Sequence, residues 1–211
     1  MRGFGLYSCG GFFDSSQLPN NMQLHSGHIN IFPIYQFIAE HPTLVSAKNN
    51  DMQEYTTLIN KMVSAIPNDK PGWYLWGKFN NIGYWETTYL GKAGNNKTSS
   101  LQARLKEELL DERIAFWGTV FGIEPTMKQF RKIFGDKYGN NTRAYRKNGT
   151  HFIIWVGATP ILEDEVKTEE HTLIALYRPT SNIQRVSYPP HTQYTDQVLR
   201  AIDSEIGTIK F

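Results

Sequence analysis

The chain has 211 residues, of which 40% are apolar and 13% aromatic; this is enough for one domain with a buried core and excludes disorder over most of the length. Its formal net charge of +2 excludes the basic excess of a nucleic-acid coat protein, and its single cysteine, Cys9, excludes an internal disulfide or a cysteine-based metal cluster. No apolar run approaches the roughly 18 to 20 residues of a membrane span and the N-terminus lacks a signal-peptide pattern, so we expect a soluble, cytoplasmic protein without a membrane partner.

The N-terminal part of the chain predicts an irregular arm followed by a helix. Residues 1–50 are rich in Gly, Asn, Ser and Pro around a short apolar stretch at residues 29–39, which indicates an irregular arm with one short helix or strand. Asp51 and Glu54 then resemble a capping box, and apolar side chains follow at helical spacing until Pro67. We expect the whole segment, residues 1–70, to pack on the main domain.

The next segment predicts a β-hairpin and a helix. Residues 73–79 and 84–91 are rich in aromatic side chains, and the Asn-Asn-Ile-Gly sequence between them is typical of a tight turn. After a polar loop, Ser99 with Gln102 indicates the start of a helix over residues 100–113. The leucines of this helix recur every four residues, so we expect them to form one buried stripe.

A strongly basic segment, residues 126–148, follows this helix and begins with a predicted short helix over residues 126–134. It holds seven basic residues against one acidic residue, a net charge of +6, so the rest of the chain carries −4 within the overall +2. Such a patch on a slightly acidic body favours a polyanionic ligand that approaches from one side, although a solvated surface segment gives the same pattern. The basic residues are Lys128, Arg131, Lys132, Lys137, Arg143, Arg146 and Lys147.

The remaining elements complete an α+β fold. Residues 151–156 predict a third strand, residues 162–177 a helix that ends before Pro179, and residues 186–211 a polar linker with a last amphipathic helix. The element order predicts a small three-stranded antiparallel sheet flanked by helices, with N-terminal, internal and C-terminal additions. We assign the main domain to residues 71–185.

Glu170 lies in the predicted apolar stripe of the helix over residues 162–177. It follows Leu162 and Val166 at intervals of four residues, so the three side chains share one face. A carboxylate in an apolar face is costly unless it is paired or binds a metal ion. The alternative is a glutamate at the edge of the stripe whose carboxylate reaches water.

Two further patterns allow a structural or a chemical interpretation. Arg104 and Glu108 lie one helical turn apart, which predicts an ion pair worth about 0.2–0.5 kcal/mol. Arg104 could instead bind a phosphate, for which its planar guanidinium is the preferred donor.

Tyr74 and Tyr89 lie in predicted strands, where aromatic side chains usually only pack. A tyrosine hydroxyl can also orient a water, or deprotonate it if a nearby cation lowers the pKa of the tyrosine.

Five short motifs follow one another along the chain. The first two are Gly72-Trp73-Tyr74 and Tyr89-Leu90-Gly91-Lys92-Ala93, and the third is the helical Leu101-Gln102-Ala103-Arg104-Leu105. The last two are Glu170-His171-Thr172-Leu173-Ile174 and Arg178-Pro179-Thr180-Ser181-Asn182. In this order they resemble the signature tripeptides, the arginine helix, the Glu-x-x-Leu-Ile helix and the Arg-Pro-x-x-Asn segment of the GIY-YIG nuclease superfamily. The N-terminal arm and the tail lie outside the resemblance.

This resemblance implies a three-stranded antiparallel sheet and the hydrolysis of DNA phosphodiester bonds with one divalent metal ion. Glu170 would be the single protein ligand of that ion, Mg²⁺ with Mn²⁺ as a substitute, in a site completed by water. The ion would neutralise the scissile phosphate and stabilise the leaving oxygen. Arg104 would hold the phosphate and offset the charge that develops on it.

The resemblance also implies roles for four other residues. Tyr74 would be the general base or would orient the attacking water, and Tyr89 beside it would position that water or the phosphate. Lys92 would lower the pKa of a tyrosine or contact the DNA backbone. Asn182 would brace the site.

Some features depart from the family pattern. The first tripeptide, Gly-Trp-Tyr, is a conservative change on a strand, and the loops on either side of Tyr89 are slightly long. A further departure lies in the arginine helix. Many members have a histidine one turn after the arginine, where this chain has Glu108. Tyr74 could therefore act alone, Glu108 could assist it, or His151 or His171 could substitute from elsewhere. The sequence leaves these alternatives open.

Our first interpretation is a type II restriction-type endonuclease that cuts specific sites in double-stranded DNA. The basic side chains of residues 126–148 would bind phosphates, while Asn140, Asn141 and the nearby arginines would reach base edges. Residues 1–70 would add DNA contacts. Cutting both strands favours a homodimer or tetramer, and we expect no nucleotide cofactor.

Three other interpretations remain open. The first is a structure-specific repair or mobile-element nuclease, although such enzymes often carry a separate DNA-binding domain that is not evident in this sequence. The second is a non-catalytic DNA-binding module on the same scaffold, against which the complete set of expected active-site side chains argues. The third is an unrelated soluble α+β domain with coincidental motifs.

Overall fold

A computed structural model of the chain describes residues 22–42, 44, 51–94, 99–122, 149–182 and 191–209. Its elements in chain order are β1 Gln23–Asn30, α1 Phe32–Glu40, α2 Asp51–Val63, β2 Gly72–Phe79, β3 Trp85–Ala93, α3 Leu101–Asp111, α4 Arg113–Phe121, β4 Phe152–Thr159, α5 Glu163–Tyr177 and α6 Thr195–Thr208. Within these ranges, no helix is long and apolar enough to cross a membrane.

The described strands form one antiparallel sheet of four strands in the order β1-β4-β2-β3. The predicted α+β class is confirmed, but the predicted number of three strands is wrong. The additional strand, β1, comes from the N-terminal segment that we expected to be irregular, and it pairs with β4. Ile29 is the one buried residue of β1, so the strand lacks the alternating apolar pattern that would have indicated it.

β2 and β3 form the predicted hairpin, and the Asn80 side chain shapes its turn. Asn80 Oδ1 accepts hydrogen bonds from the backbone N–H groups of Ile82 and Tyr84 at 3.1 and 3.0 Å. Gly83 has a φ of 81°, in the left-handed region that glycine adopts without steric cost. The Asn-Asn-Ile-Gly sequence therefore specifies this turn through two hydrogen bonds to one side chain and one glycine.

The sheet is the middle of three layers because its strands alternate apolar side chains between two buried faces. Tyr74 and Tyr89 belong to the face covered by α1, α2, α3 and α4. Trp73, Leu75 and Leu90 belong to the face covered by α5 and α6. Neighbouring residues of β2 thus lie on opposite sides of the sheet, and this alternation decides which motif side chains can meet.

The helix after the hairpin is shorter than predicted and is followed by another. Its N-cap is Ser100 instead of Ser99, with the Ser100 hydroxyl accepting a hydrogen bond from the N–H of Ala103 at 3.3 Å. The leucine stripe of α3 is fully buried, as predicted. The sequence analysis did not predict α4, which begins two residues after α3 ends and is closed by Gly122 in a left-handed conformation.

α5 has nearly the predicted bounds, but its buried face differs from the prediction. Glu169 is fully buried, whereas Glu170 is half-buried. Apolar spacing identifies the face that a helix turns to a single neighbour. In the structure α5 packs on the sheet and also on the α6 region, where the hydroxyls of Thr192 and Thr195 donate hydrogen bonds to Glu169 Oε2. α6 itself is the amphipathic helix expected near the C-terminal end.

Candidate active site

The hydroxyl of Tyr74 connects β2 to α3. Tyr74 is fully buried, and its Oη–H donates a hydrogen bond to Glu108 Oε1 at 2.6 Å. Arg104 Nε donates to the same Oη at 3.4 Å, and Arg104 Nη2 lies 3.0 Å from Glu108 Oε1. A phenol, a carboxylate and a guanidinium thus form a closed ring of contacts. We call Tyr74, Tyr89, Arg104 and Glu108 the Tyr74 cluster.

Helical spacing explains why Arg104 and Glu108 reach Tyr74 together. They lie four residues apart on α3, so both side chains leave the helix on the same side, and the leucine stripe holds α3 against the sheet face that carries Tyr74. The ion pair expected from the spacing is present. It is not a solvated surface pair, because only 6% of the Glu108 side chain is exposed, compared with 43% for Arg104.

Tyr89 lies beside Tyr74 on the neighbouring strand. The two ring centroids are 6.2 Å apart with their planes at 45°. The residue directly opposite Tyr74 is Gly91, where a Cβ would come within 2.5 Å of both Cζ and Oη of Tyr74. Gly91 therefore leaves the space through which the Tyr74 ring crosses β3.

Burial raises the pKa of Tyr74 well above its ordinary value of 10.0, and the charge of Glu108 raises this pKa further. The positive charge of Arg104 opposes the rise without cancelling it. The hydroxyl therefore stays protonated and serves as a hydrogen-bond donor to Glu108. Arg104 thus acts on the pKa of Tyr74 in the direction expected of a nearby cation, but burial and Glu108 outweigh it.

Lys92 and Glu170 belong to the other side of the sheet. Lys92 pairs with Trp73, whose side chain points to the face covered by α5 and α6, and directly paired residues share a face. Glu170 lies on α5 in that same layer. The structure thus brings the two tyrosines and Arg104 together, and the cation beside Tyr74 is Arg104, not Lys92.

Glu170 has the chemistry of a Mg²⁺ ligand. Its half-buried carboxylate is a hard oxygen donor, which fits an ion that keeps most of its water. Among the residues that the structure describes, no group of three or more His, Cys, Asp or Glu side chains could hold a metal ion together. A bound ion would depend on Glu170, water and phosphate oxygens, so the metal-binding role of Glu170 stays a prediction.

Asn182 fixes the main chain of β3 beside Tyr89. The N–H of Leu90 donates to Asn182 Oδ1 at 2.9 Å, and Asn182 Nδ2 donates to the carbonyl of Leu90 at 2.8 Å. The N–H of Ser181 donates to the carbonyl of Thr88 at 2.8 Å. The segment after α5 thus follows the outer edge of β3, and it connects the α5 layer to the strand that carries Tyr89.

Glu108 is the residue that takes the place beside Tyr74, and the two alternative histidines lie elsewhere. The N–H of His151 donates to the carbonyl of Gly77 at 3.0 Å, which is three residues or about 10 Å along β2 from Tyr74. His171 lies on α5, in the opposite layer. In the sequence, Glu108 was marked only by its position four residues after Arg104. That spacing is the same in a surface ion pair, so it could not show that Glu108 contacts Tyr74.

The basic segment over residues 126–148, including its predicted helix, lies outside the described residues. The predicted DNA contacts of its side chains therefore stay predictions. These residues are Lys128, Arg131, Lys132, Lys137, Arg143, Arg146 and Lys147.

Comparison with known proteins gives no match to this chain among protein-family models, curated proteins or solved structures. The resemblance to GIY-YIG nucleases therefore stays an expectation from the five sequence motifs. Of the motif side chains, Tyr74, Tyr89 and Arg104 meet in the Tyr74 cluster, and Asn182 contacts the strand next to it.

Proposed function

We propose that this chain is a metal-dependent endonuclease of the GIY-YIG type that hydrolyses phosphodiester bonds in double-stranded DNA. The observation that carries the proposal is the Tyr74 cluster, in which motif residues from two strands and one helix lie in contact. Motifs that matched by coincidence would not be expected to converge in this way.

Arg104 is the group that binds the scissile phosphate. Burial lowers the pKa of Arg104, but the neighbouring Tyr74 and Glu108 raise it by more, so the guanidinium stays charged. Since 43% of the side chain is exposed, a phosphate can approach the charged fork from solvent. There the guanidinium offsets the negative charge that develops during hydrolysis.

Tyr74 and Tyr89 position the attacking water. A neutral tyrosine hydroxyl both donates and accepts hydrogen bonds, so Tyr74 can hold a water at the phosphate bound by Arg104. Glu170 belongs to the opposite layer, on the helix that packs against the edge strand β3, so the phosphate would lie at this edge to meet both sides. A Mg²⁺ ion held by Glu170 would there neutralise the phosphate and stabilise the leaving oxygen. Lys92, in the layer of α5, is placed on the Glu170 side and would contact the DNA backbone there.

We further propose a type II restriction-type enzyme that acts on specific duplex sites in the cytoplasm. The net charge of +6 over residues 126–148 would supply phosphate contacts in addition to those of Arg104 and Lys92. A homodimer or tetramer would bring two sites to the two strands, as a palindromic target requires.

The test is cleavage of mixed plasmid and phage DNA by purified wild-type protein and by Glu170→Ala, with Mg²⁺ or with a chelator. Glu163→Ala is the matched control because Glu163 is an exposed carboxylate on the same helix. We expect discrete bands from the wild type and Glu163→Ala in Mg²⁺, and no cutting by Glu170→Ala or in the chelator.

Other results would redirect the proposal. A Mg²⁺-dependent smear of products would support nuclease activity but contradict sequence-specific cutting. That result favours a repair or mobile-element enzyme. Binding of duplex DNA without cutting by any variant would contradict the nuclease and support a binding module. Failure to bind duplex DNA at low salt would contradict both.

A further inference from the structure

The carboxylate of Glu108 contacts both groups that the proposed hydrolysis needs. Glu108 Oε1 accepts the Tyr74 hydroxyl at 2.6 Å and lies 3.0 Å from Arg104 Nη2. Only 6% of the Glu108 side chain is exposed, so the phenol and the guanidinium meet at an oxygen that is largely shielded from water. A change in the charge of this oxygen would therefore alter its interactions with both the Tyr74 hydroxyl and the Arg104 guanidinium.

Tyr74 can take a proton from water only if it releases its own. The Tyr74 hydroxyl proton points to Glu108 Oε1 at a distance suited to direct transfer. A free phenolate at this position is disfavoured because burial raises the pKa of Tyr74. A transfer in which Tyr74 receives one proton while it passes another to Glu108 avoids that phenolate.

Building on the proposed nuclease function, we propose that Glu108 is the proton acceptor behind Tyr74 and that its protonation frees Arg104 for the phosphate. The water O–H bond breaks as Tyr74 Oη takes that proton, and the Tyr74 proton passes to Glu108 Oε1. The water oxygen bonds to phosphorus, the bond from phosphorus to the leaving oxygen breaks, and the leaving oxygen takes a proton from solvent. Glu108 then returns its proton to solvent, which restores the site.

The charges balance at each stage of this transfer. Before it, the negative Glu108 is paired with the positive Arg104. After it, Glu108 is neutral, and Arg104 gains a free positive charge as the phosphate gains a negative one. Glu107 Oε2 also lies 3.1 Å from Arg104 Nη1, but Glu107 is exposed, so solvent weakens its hold on the guanidinium.

In the terms of this mechanism Glu108 acts through Tyr74 and Arg104 and does not touch the substrate. A carboxylate that only held the two side chains in place would give the same hydrogen bonds. The difference between the two roles lies in proton acceptance, which an amide cannot perform. Among the described residues, the titratable groups that these contacts bring near Glu108 are Tyr74 of β2, Tyr89 of β3, and Arg104 and Glu107 of α3. Tyr55 of α2, Glu112 and Arg113 lie further along, at the junction of α3 and α4.

The test compares wild type, Glu108→Gln and Glu108→Asp in single-turnover cleavage of one duplex over a range of pH. Duplex affinity is measured with Ca²⁺ in place of Mg²⁺, and Glu163→Gln, an exposed carboxylate of α5, is the control. We expect Glu108→Gln to cleave about 10²-fold more slowly or worse, with affinity within about threefold of wild type. The rise of the wild-type rate with pH on the acid side should disappear in Glu108→Gln and persist in Glu108→Asp at a lower rate.

The outcomes separate this inference from the function on which it rests. If the wild type does not cleave, the nuclease proposal fails and the role of Glu108 fails with it. If the wild type cleaves and Glu108→Gln keeps the rate or the acid-side pH dependence, only the role of Glu108 is overturned. A lower cleavage rate of Glu108→Gln that is fully explained by weaker duplex binding also overturns the proposed role of Glu108. If Glu108→Gln does not fold, Glu108→Asp decides, because loss of the pH dependence in that variant contradicts a carboxylate acceptor.

Discussion

At the scale of single residues, the Tyr74 hydroxyl depends on a neighbour that has no side chain. The Tyr74 ring crosses β3 at Gly91, and the hydroxyl beyond this crossing meets Glu108 and Arg104. Gly91 therefore has a steric role in this chain that needs no reference to any family. The sequence showed the two tripeptides but could not show that the glycine of one receives the tyrosine of the other, since that contact depends on strand register.

We predict that Gly91→Ala destabilises the protein and slows cleavage. Its Cβ would lie 2.5 Å from Tyr74 Cζ and Oη, so the ring must shift away from Glu108. Overpacking of this kind costs about 1–3 kcal/mol, which a urea unfolding curve measures, and the displaced hydroxyl should lower the single-turnover rate. Gly207→Ala in α6 is the control, because a Cβ there meets nothing within 4 Å. Equal stability of Gly91→Ala and wild type would contradict the close contact between the Tyr74 ring and Gly91.

At the scale of the elements, α5 shows how far periodicity carries a prediction. Its bounds followed from apolar spacing and from Pro179, but the buried carboxylate is Glu169 where the stripe predicted Glu170. The spacing describes one helix, whereas the buried face is decided by two neighbours, the sheet and the α6 region. The local pattern was likewise insufficient for β1. This mostly polar strand is held in the sheet by backbone hydrogen bonds to β4. The hairpin was predictable because its turn and its aromatic strands are local signals.

We predict that Glu169 makes stability depend on pH. Burial raises the pKa of Glu169 above its ordinary value of 4.5, against the opposing hydrogen bonds from Thr192 and Thr195. The folded state thus holds the proton more tightly than the unfolded state, so this contribution to stability is complete below pH 4.5 and is lost as pH rises through the raised pKa. Among the described residues Glu169 Oε1 has no hydrogen-bond partner, which agrees with a group that prefers to be neutral.

The measurement is urea unfolding of wild type and Glu169→Gln from about pH 4 to about pH 8. The amide is always neutral and its oxygen can still accept from the threonine hydroxyls, so Glu169→Gln should gain stability relative to wild type as pH rises. Glu163→Gln on the exposed side of α5 should run parallel to wild type. A constant difference between Glu169→Gln and wild type would disprove the raised pKa.

At the scale of the whole molecule, the predicted site is divided between two layers. The Tyr74 cluster lies between the sheet and α3, while Glu170 and Lys92 belong to the layer of α5, and β3 is the strand that both layers share. Element order was enough to predict the α+β class and an antiparallel sheet. It could not predict this division, because alternation along a strand sends Tyr89 and Lys92 to opposite faces and only the packed helices decide what each of them meets.

We predict that residues 126–148 carry the salt-dependent part of DNA binding. Replacing Lys128, Arg131 and Lys132 by glutamine should weaken duplex binding in Ca²⁺ and reduce the slope of log affinity against log salt by about 0.9 for each phosphate contact removed. Lys61→Gln and Lys167→Gln, on α2 and α5, are the controls and should keep the wild-type slope. An unchanged slope in the triple variant would assign the phosphate contacts to another surface.

The pairing of Asn182 with Leu90 also has a consequence for how copies of this chain can associate. The side-chain amide offers β3 one donor and one acceptor, as the backbone of an adjacent strand would, and the N–H of Ser181 occupies a further carbonyl of the same edge. An exposed strand edge is a template for intermolecular β-pairing and aggregation. Here the outer rim of β3 is already occupied from within the chain, so a second molecule could extend the sheet on this side only after displacing that segment.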